Sequence, residues 1–290
     1  MIKGKASWTA EMTAVFRATE SLRPIEQRLF EDIFAPEFLR PWIRLLLKNR
    51  WLAKFIVWFL IDRRFPGATD TIVSRIRYTD DCLKDSIKNG IEQLVILGAG
   101  YDSRAYRFAE LKAIKVFEVD HPNTQHLKKD KVNRLFGTLP SHVTYVAVDF
   151  EKEKLLPKLL NAGFTSNQKT LFIWEGVCKY LSQEAVNELL TQVSSKACKG
   201  SCIVFDYLFE SMINGSSGSP LAKRMLDYQL KKGEPFIFGL PEDNPEDSIK
   251  PKGFSEVKNT SAAKIKKKYF QGSTRAKSLH PFWGIIRATV

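Results

Sequence analysis

The sequence predicts an α/β fold of the Rossmann-like, doubly wound type, in which a mainly parallel seven-stranded sheet carries helices on both faces and a helical N-terminal cap. Beyond residue 91, apolar segments typical of buried strands alternate with segments of helical spacing. A Gly-Ala-Gly turn follows the first of these strands, and an acidic residue ends the second. Before residue 91, apolar residues recur at helical spacing between prolines, which indicates a cap made of helices.

The elements follow one another in a regular order after residue 91. The predicted strands are 93–97, 115–119, 143–148, 170–174, 201–206, 254–259 and 281–289. The predicted helices lie near 102–112, 122–135, 151–162, 182–197 and 261–270. We therefore expect a helical cap over residues 1–90 and one Rossmann-like domain over residues 91–290. A stretch containing Gly, Ser and Pro interrupts the alternation, and we interpret residues 207–240 (approximate bounds) as an inserted lid.

The turn between the first two strands indicates a class of ligand. Gly98, Ala99 and Gly100 allow a sharp turn, and Asp120 ends the second strand about twenty residues later. In doubly wound folds, an acid at this position accepts hydrogen bonds from ribose hydroxyls. The spacing predicts an adenosine-containing cofactor, against the alternative of a tight turn that binds nothing.

Ser103 stands where the third glycine of a dinucleotide-binding turn would fall. A pyrophosphate requires close approach of the backbone along the whole turn. A cofactor without phosphate, such as S-adenosylmethionine, requires only the glycine-lined turn and the ribose acid. Ser103 therefore favours a phosphate-free adenosine cofactor over a dinucleotide.

Acidic residues end several of the predicted strands, at the edge where open α/β sheets bind their ligands. These residues are Asp120, Asp149, Glu175 and Asp206. We expect Asp120 to hold the ribose diol and Asp149 the adenine amino group, with Phe150 near the base. Glu175 is predicted near the amino-acid end of the cofactor.

A cofactor that bears a carboxylate also needs a cation. Arg75 and Arg77 lie just before the first strand, and an arginine can hold a carboxylate through two parallel hydrogen bonds. The alternative for either residue is a surface arginine paired with Asp80 or Asp81.

The net charge and the cysteine content limit which partners and which cellular location we expect for the protein. The net charge of +13 is compatible with an anionic partner, but the lysines at 264–268 are interpreted as a solvated helix face in preference to a nucleic-acid patch. The four cysteines lack metal-ligand spacing, and residues 1–20 lack the apolar segment of a signal peptide. We expect reduced thiols, no metal site and a cytoplasmic location.

The segment 42–59 is strongly apolar but contains Arg44, Lys48, Arg50 and Lys54, so it falls short of a membrane-spanning helix. We interpret it first as a cap helix packed on the core or over a substrate pocket. The alternative is an interfacial helix that makes peripheral contact with an anionic membrane.

Taken together, these features resemble the leucine carboxyl methyltransferase-like family of S-adenosylmethionine-dependent O-methyltransferases, in its bacterial, polyketide-metabolism-type branch. The matching segments are Thr9-Ala10, Arg17–Ser21, Ser74-Arg75, Leu97–Arg107, Phe117–Pro122, Val148–Phe150 and Trp174–Leu181. The resemblance implies the Rossmann-like fold of class I methyltransferases.

The resemblance also implies roles for individual residues. They are Arg75 for the cofactor carboxylate, Gly98 for the methionine end, Asp120 for the ribose, Asp149 with Phe150 for the adenine, and Glu175 for the amino group. Cys178 and Lys179 depart from the pair that often precedes Tyr-Leu in this family, and they lie in a region expected to influence the acceptor.

The implied reaction transfers a methyl group to a carboxylate or hydroxyl oxygen of a small molecule. A carboxylate needs no base, whereas a hydroxyl does, and Tyr180 is the candidate catalytic residue beside Tyr101 and the four histidines.

Two other classes of function stay open at this point. The positive charge permits a nucleic-acid methyltransferase, and the segment 42–59 permits a non-catalytic, membrane-surface protein that binds the cofactor. Nucleic acid is the less favoured partner because Glu175-Gly-Val follows the fourth strand, where amino-directed nucleic-acid enzymes tend to carry an Asn/Asp-Pro-Pro-aromatic run.

Overall fold

The structure is a computed structural model that describes residues 8–273, 275 and 279–290. Residues 1–7 of the predicted cap lie outside these described residues. Within them, the strands are β1 (Gln93–Leu97), β2 (Lys115–Asp120), β3 (Val143–Ala147), β4 (Thr170–Trp174), β5 (Cys202–Leu208), β6 (Glu256–Ser261) and β7 (Trp283–Thr289). They form one sheet in the order β3-β2-β1-β4-β5-β7-β6. The predicted seven-stranded α/β fold is confirmed.

The direction and burial of the strands explain this architecture. Neighbouring strands from β3 to β5 are parallel, and β7 runs antiparallel between β5 and β6. Every residue of β1 and β4 is buried, as expected for central strands covered by helices on both faces. The pairings of Leu97 with Val119 and of Ile96 with Ile173 bring the carboxyl ends of β1, β2 and β4 to the same edge.

The helices on and around the sheet follow the sequence pattern closely. The α-helices are α1 (Trp8–Ser21), α2 (Pro41–Leu47), α3 (Arg50–Val57), α4 (Ala68–Lys88), α5 (Arg104–Arg107), α6 (Pro122–Phe136), α7 (Leu155–Asn161), α8 (Gln183–Lys196), α9 (Glu210–Ile213), α10 (Pro220–Lys232) and α11 (Ala262–Phe270). Single turns of 3₁₀-helix lie at Ala35–Phe38, Ala109–Ala113, Cys178–Tyr180, Pro245–Ser248 and Lys250–Lys252, and a π-helical turn lies at Trp58–Asp62.

The helix predicted near 102–112 is shorter than expected. It divides into α5 and the 3₁₀ turn Ala109–Ala113, because Phe108 between them adopts an extended backbone conformation. The side chain of Ser103 does not cap α5; its hydroxyl donates to the carboxylate of Asp32. The local contact at the start of α5 comes from Asp102, whose Oδ1 accepts a hydrogen bond from the backbone amide of Arg104 at 2.7 Å.

The apolar segment 42–59 also differs from a single helix. It forms α2 and α3, because Asn49 interrupts it and accepts hydrogen bonds through Oδ1 from the backbone amides of Trp51 and Leu52, at 2.9 and 3.1 Å. These bonds satisfy free amides at the start of α3. Among the described residues, no helix combines the length and the apolar character needed to cross a bilayer.

The helices before β1 share their core with the sheet. Phe16 of α1 and Val73 of α4 belong to the same cluster of buried apolar side chains as Leu94 and Ile285 of the strands. The division into a cap over residues 1–90 and a domain over 91–290 stays a prediction.

Candidate active site

A cavity of about 670 Å³ lies at the carboxyl ends of the parallel strands. All nine residues that the sequence predicted for the site line it: Arg75, Gly98, Ala99, Gly100, Asp120, Asp149, Phe150, Glu175 and Tyr180. These residues come from α4 and from the segments that follow β1, β2, β3 and β4. We call them, with Asp206 at the end of β5, the strand-end group.

The remaining walls come from the helices before β1, from the segment after β5 and from the residues that lead into β7. They are largely apolar and include Phe16, Ile61, Phe65, Met225, Phe236 and His280. We call these residues the cap-and-lid group. Met225 and Phe236 belong to the stretch interpreted from the sequence as a lid, and both contribute to the cavity wall.

The glycines after β1 are required by their conformation and by what surrounds them. Gly98 has a φ of +66°, and a Cβ atom placed there would lie 2.3 Å from a side-chain carbon of Val177. Gly100 has a φ of +43°, and its Cβ position would meet the side chain of Ala10 at 3.3 Å. The turn therefore fits only glycine at these two positions, closely packed between α1 and the segment after β4.

The carboxylate of Asp120 is held against this turn. Oδ2 accepts a hydrogen bond from the amide of Gly100, and Oδ1 accepts one from the amide of His121 at 2.6 Å. Burial raises the pKa of Asp120 despite these two bonds. The side chain is thus a fixed acceptor whose remaining lone pairs face a ligand cavity.

Arg75 is enclosed by two carboxylates. Its Nη1 donates to Oδ2 of Asp206 at 3.0 Å, and its Nε lies 3.4 Å from Oε1 of Glu175. Burial alone would raise the pKa of Asp206, but Arg75 and Lys179 together hold it below the usual value. Asp206, the last along the chain of the four strand-end acids noted in the sequence, is therefore a partner of the predicted cofactor arginine.

Arg104 is a central residue of the site that the sequence analysis did not select. Its Nη2 donates to Oε2 of Glu175 at 2.8 Å, and its Nε donates to Asp80 at the same distance. It thus joins the helix after the glycine turn to the acid at the end of β4. Its side chain is buried, and this burial arises from tertiary contacts that join α4, α5 and the segment after β4.

The cap is linked to the glycine turn through Asp32. This fully buried carboxylate accepts hydrogen bonds from Nε of Arg17, at 2.7 Å, and from the hydroxyl of Ser103. Arg17 also donates to the carbonyl of Tyr101. Ser103, which argued against a pyrophosphate site, therefore has a structural role in fastening α1 to the turn.

Asp149 and Phe150 lie two and three residues beyond β3 and line the cavity. In the sheet, β3 is the edge strand next to β2, which ends in Asp120. Oδ1 of Asp149 accepts from the amide of Glu151 at 3.2 Å, while Oδ2 lies 3.5 Å from the ammonium of Lys152. Both contacts are local, so this loop is ordered by its own polar groups.

Tyr180 lies where three elements meet. Its hydroxyl is 3.4 Å from the hydroxyl of Thr9 in α1 and accepts from Nε2 of Gln229 in α10 at 3.4 Å. Thr9 in turn donates to the carboxylate of Glu234. Burial raises the pKa of Tyr180 above its ordinary value, so the phenol stays protonated at neutral pH.

Two further polar groups, Lys179 and His280, line the cavity. From the sequence, Lys179 was noted only as a departure from the family pattern, and His280 only as one of four histidines. Lys179 has its ammonium 3.8 Å from Oδ2 of Asp206, and burial lowers its pKa. His280 is 7% exposed, and its Nε2 has no hydrogen-bond partner among the described residues. Burial lowers the pKa of His280 to about 4, so the ring is neutral near pH 7.

The strand-end group fits S-adenosylmethionine, the cofactor expected from the resemblance. Arg75 is a buried guanidinium at the cavity wall, and its Nε lies 3.4 Å from Oε1 of Glu175 without a hydrogen bond among the described residues, so this cation can also meet a ligand carboxylate. Glu175 offers carboxylate oxygens for an amino group, and Asp120 offers an acceptor for ribose hydroxyls. The donor set therefore matches a zwitterionic nucleoside.

Comparison with known proteins identifies the family of this chain. The family model of leucine carboxyl methyltransferases matches residues 10–194. The protein YktD of Bacillus subtilis (strain 168) is 38% identical over 166 residues, which cover 57% of this chain and 54% of that protein. A protein of Mycolicibacterium paratuberculosis (strain ATCC BAA-968 / K-10) is 32% identical over 199 residues, which cover 67% of this chain and 63% of that protein. Both names begin "Putative S-adenosyl-L-methionine-dependent methyltransferase".

These matches span about half to just under two thirds of the relatives' own length. Among solved structures, a DUF574 family protein from Streptomyces avermitilis has a TM-score of 0.56 and 10% identity, and the match covers 100% of this chain and 99% of that one. At this identity the likeness shows the fold alone. The predicted family is confirmed. The chain belongs to the leucine carboxyl methyltransferase family of S-adenosylmethionine-dependent methyltransferases.

Proposed function

We propose that this protein transfers the methyl group of S-adenosylmethionine to a carboxylate or hydroxyl oxygen of a small, largely apolar molecule. The observation that carries the proposal is the composition of one cavity. Its strand-end group supplies the charged groups for the cofactor, and its cap-and-lid group supplies an apolar wall for the acceptor.

The strand-end group binds and orients the cofactor in this proposal. Arg75 takes the carboxylate, Glu175 the amino group, and Asp120 the ribose, while Gly98, Ala99 and Gly100 line the methionine end. Asp149 and Phe150 bound the adenine. When bound, S-adenosylmethionine supplies a methyl group activated by the positive charge on its sulfur.

The acceptor oxygen attacks the methyl carbon in line, so that the new O–C bond forms as the S–C bond breaks. The residues of this chain hold that oxygen in line and exclude water, since the donor needs no further activation. In this proposal the protonated phenol of Tyr180, which lines the cavity, donates a hydrogen bond that orients the acceptor. Tyr180 therefore acts here by positioning and not as a base.

Two groups could distinguish the two kinds of acceptor. Lys179 is a cation that can pair with an acceptor carboxylate. His280 has a free, neutral Nε2 that can accept the proton of an acceptor hydroxyl. Each group thus favours one acceptor oxygen, and variants at the two positions separate the alternatives.

The function is tested first by ligand binding. S-adenosylmethionine and its demethylated product should each raise the melting temperature of the protein, whereas NAD should not, because Ser103 and its bond to Asp32 replace the third glycine of a pyrophosphate turn. Stabilisation by NAD and not by S-adenosylmethionine would contradict the proposal.

The acceptor is then identified with isotopically labelled cofactor and mass spectrometry. The screen includes long-chain and aromatic acids and their alcohol counterparts, because the cap-and-lid wall is apolar. We expect the label to appear as an oxygen-bound methyl group on one of these classes. Label found on RNA or DNA, or on no acceptor while the cofactor binds, would contradict the proposed reaction.

A further inference from the structure

The surface of α2 and α3 exposes an unusual number of large apolar side chains. Six of them are between 40% and 70% exposed: Trp42, Leu45, Trp51, Leu52, Phe55 and Phe59. We call this surface the α2–α3 face. Apolar side chains that cluster in this way on a surface mark an interaction site more often than a chance arrangement.

The opposite side of α3 is already used for packing. Ala53 and Val57 are buried in the core shared with the sheet, whereas Trp51 and Phe55 lie on the other side of the helix. The ring of Phe55 stacks on that of Phe59 with centroids 5.9 Å apart. Because α3 is apolar on both sides, the intramolecular packing leaves one apolar side to be covered by something else.

The charges within the segment have one sign. Between Pro41 and Ile61 the sequence contains Arg44, Lys48, Arg50 and Lys54 and no acidic residue. Beyond its end, the guanidinium of Arg63 lies over the ring of Phe59 at 5.6 Å. Glu37, an acid from outside the segment, pairs with Arg44.

We propose that the α2–α3 face docks on the surface of an anionic lipid bilayer. Aromatic and aliphatic side chains enter the boundary between headgroups and acyl chains, and the interspersed lysines and arginines meet the anionic headgroups. Long basic side chains can bury their stems beside the apolar residues while the charges stay in water.

The same charges disfavour a second copy of this chain as the partner. A two-fold interface places identical patches against each other, so the basic side chains of one copy would face those of the other, and residues 41–61 contain no acidic residue to offset them. The cores of protein interfaces are also depleted in lysine. A lipid surface satisfies both the apolar and the cationic character of the face.

The test compares two matched variants of the full chain. Leu52 on the α2–α3 face is 40% exposed, and Leu160 on α7 is 45% exposed. Leu52→Glu and Leu160→Glu therefore make the same change at two helical positions whose side chains are similarly exposed. Co-sedimentation uses vesicles of phosphatidylcholine with about 40% phosphatidylglycerol and vesicles of phosphatidylcholine alone. Neither cofactor nor acceptor is present, so the result is independent of the proposed methyl transfer.

We expect the wild type and Leu160→Glu to bind the anionic vesicles, and to be released as NaCl rises from about 0.1 M to about 0.5 M. Leu52→Glu should bind about tenfold more weakly, because a charge replaces a side chain that enters the bilayer. Equal binding by the two variants would overturn the proposal. Failure of the wild type to co-sediment with the anionic vesicles would also overturn it.

A second measurement does not depend on a disruptive variant. Lipids brominated on the acyl chains should quench the tryptophan fluorescence of the wild type, and the conservative double variant Trp42→Phe/Trp51→Phe should show less quenching. Undiminished quenching in that variant would contradict the proposal. So would sedimentation equilibrium that shows a stable dimer in the wild type and a monomer in Leu52→Glu.

Discussion

The strand-end group and the cap-and-lid group line one cavity but are built in different ways. Apart from Arg75 of α4, the strand-end group consists of residues at or shortly after the ends of neighbouring parallel strands, and its charged side chains hold one another in pairs such as Arg75 with Asp206. The cap-and-lid group comes from helices and connecting segments far apart in the chain and has few polar groups, among them His280 with its free Nε2. The sheet edge positions most of the first group through the register of its strands, whereas the second group depends on how separate helices and loops pack.

This difference makes the two groups separable by mutation. Changes in the strand-end group should alter the affinity for the cofactor, and changes in the cap-and-lid group or at Lys179 should alter only the use of the acceptor. The following predictions proceed from the largest expected effect to the smallest.

Asp120→Ala should weaken the binding of S-adenosylmethionine by at least about 100-fold, because a charged acceptor for two ribose hydroxyls is removed. Isothermal titration calorimetry measures the effect. Asp130→Ala, a change of the same kind at an exposed position on α6, serves as the control and should leave the affinity unchanged. Unaltered affinity in Asp120→Ala would remove the ribose role.

His280→Gln should lower kcat by about 100-fold if the acceptor is a hydroxyl, because the group placed to receive the proton is lost. The affinity for the cofactor should not change, which distinguishes this variant from Asp120→Ala. His126→Gln, in which an exposed histidine is replaced, is the control. Full activity of His280→Gln with a hydroxyl acceptor would show that His280 does not accept the proton.

His280 should also make the protein less stable in mild acid. Its pKa is about 4 in the folded protein against an ordinary value of 6.5, so its contribution to stability is fully present above pH 6.5 and is lost as the pH falls toward 4. Between about pH 7 and pH 5 this amounts to about 2 kcal/mol. Urea unfolding at the two pH values should show that His280→Gln loses less stability than the wild type by about this amount, and an equal loss would contradict the depressed pKa.

Lys179→Met should raise KM for a carboxylate acceptor by about tenfold, because one ion pair with the acceptor is removed. The KM of a hydroxyl acceptor and the affinity for the cofactor should change little. Lys223→Met, at an exposed position of α10, is the matched control. A large loss of cofactor affinity in Lys179→Met would instead place this residue with the strand-end group.

The sequence by itself determined the sheet, its strands and the nine residues that meet in the cavity. Buried parallel strands are continuous apolar runs, and their carboxyl ends share one edge, so Asp120, Asp149 and Glu175 could be placed together before any coordinates were known. These patterns involve residues close together in the chain, so they can be recognised from the sequence alone. The individual roles of those residues stay predictions until binding is measured.

Only the tertiary structure decided which charges are buried and what they contact. Arg104 is not among the site residues predicted from the sequence but is buried between Asp80 and Glu175, and Ser103, considered only as the replacement of a third glycine, donates to Asp32 of the cap segment. His280 entered the sequence analysis only as one of four histidines, and the packing of the residues before β7 brings its Nε2 to the cavity. Such contacts join residues distant in the chain, and no periodicity or spacing encodes them because they arise only when separate elements pack together.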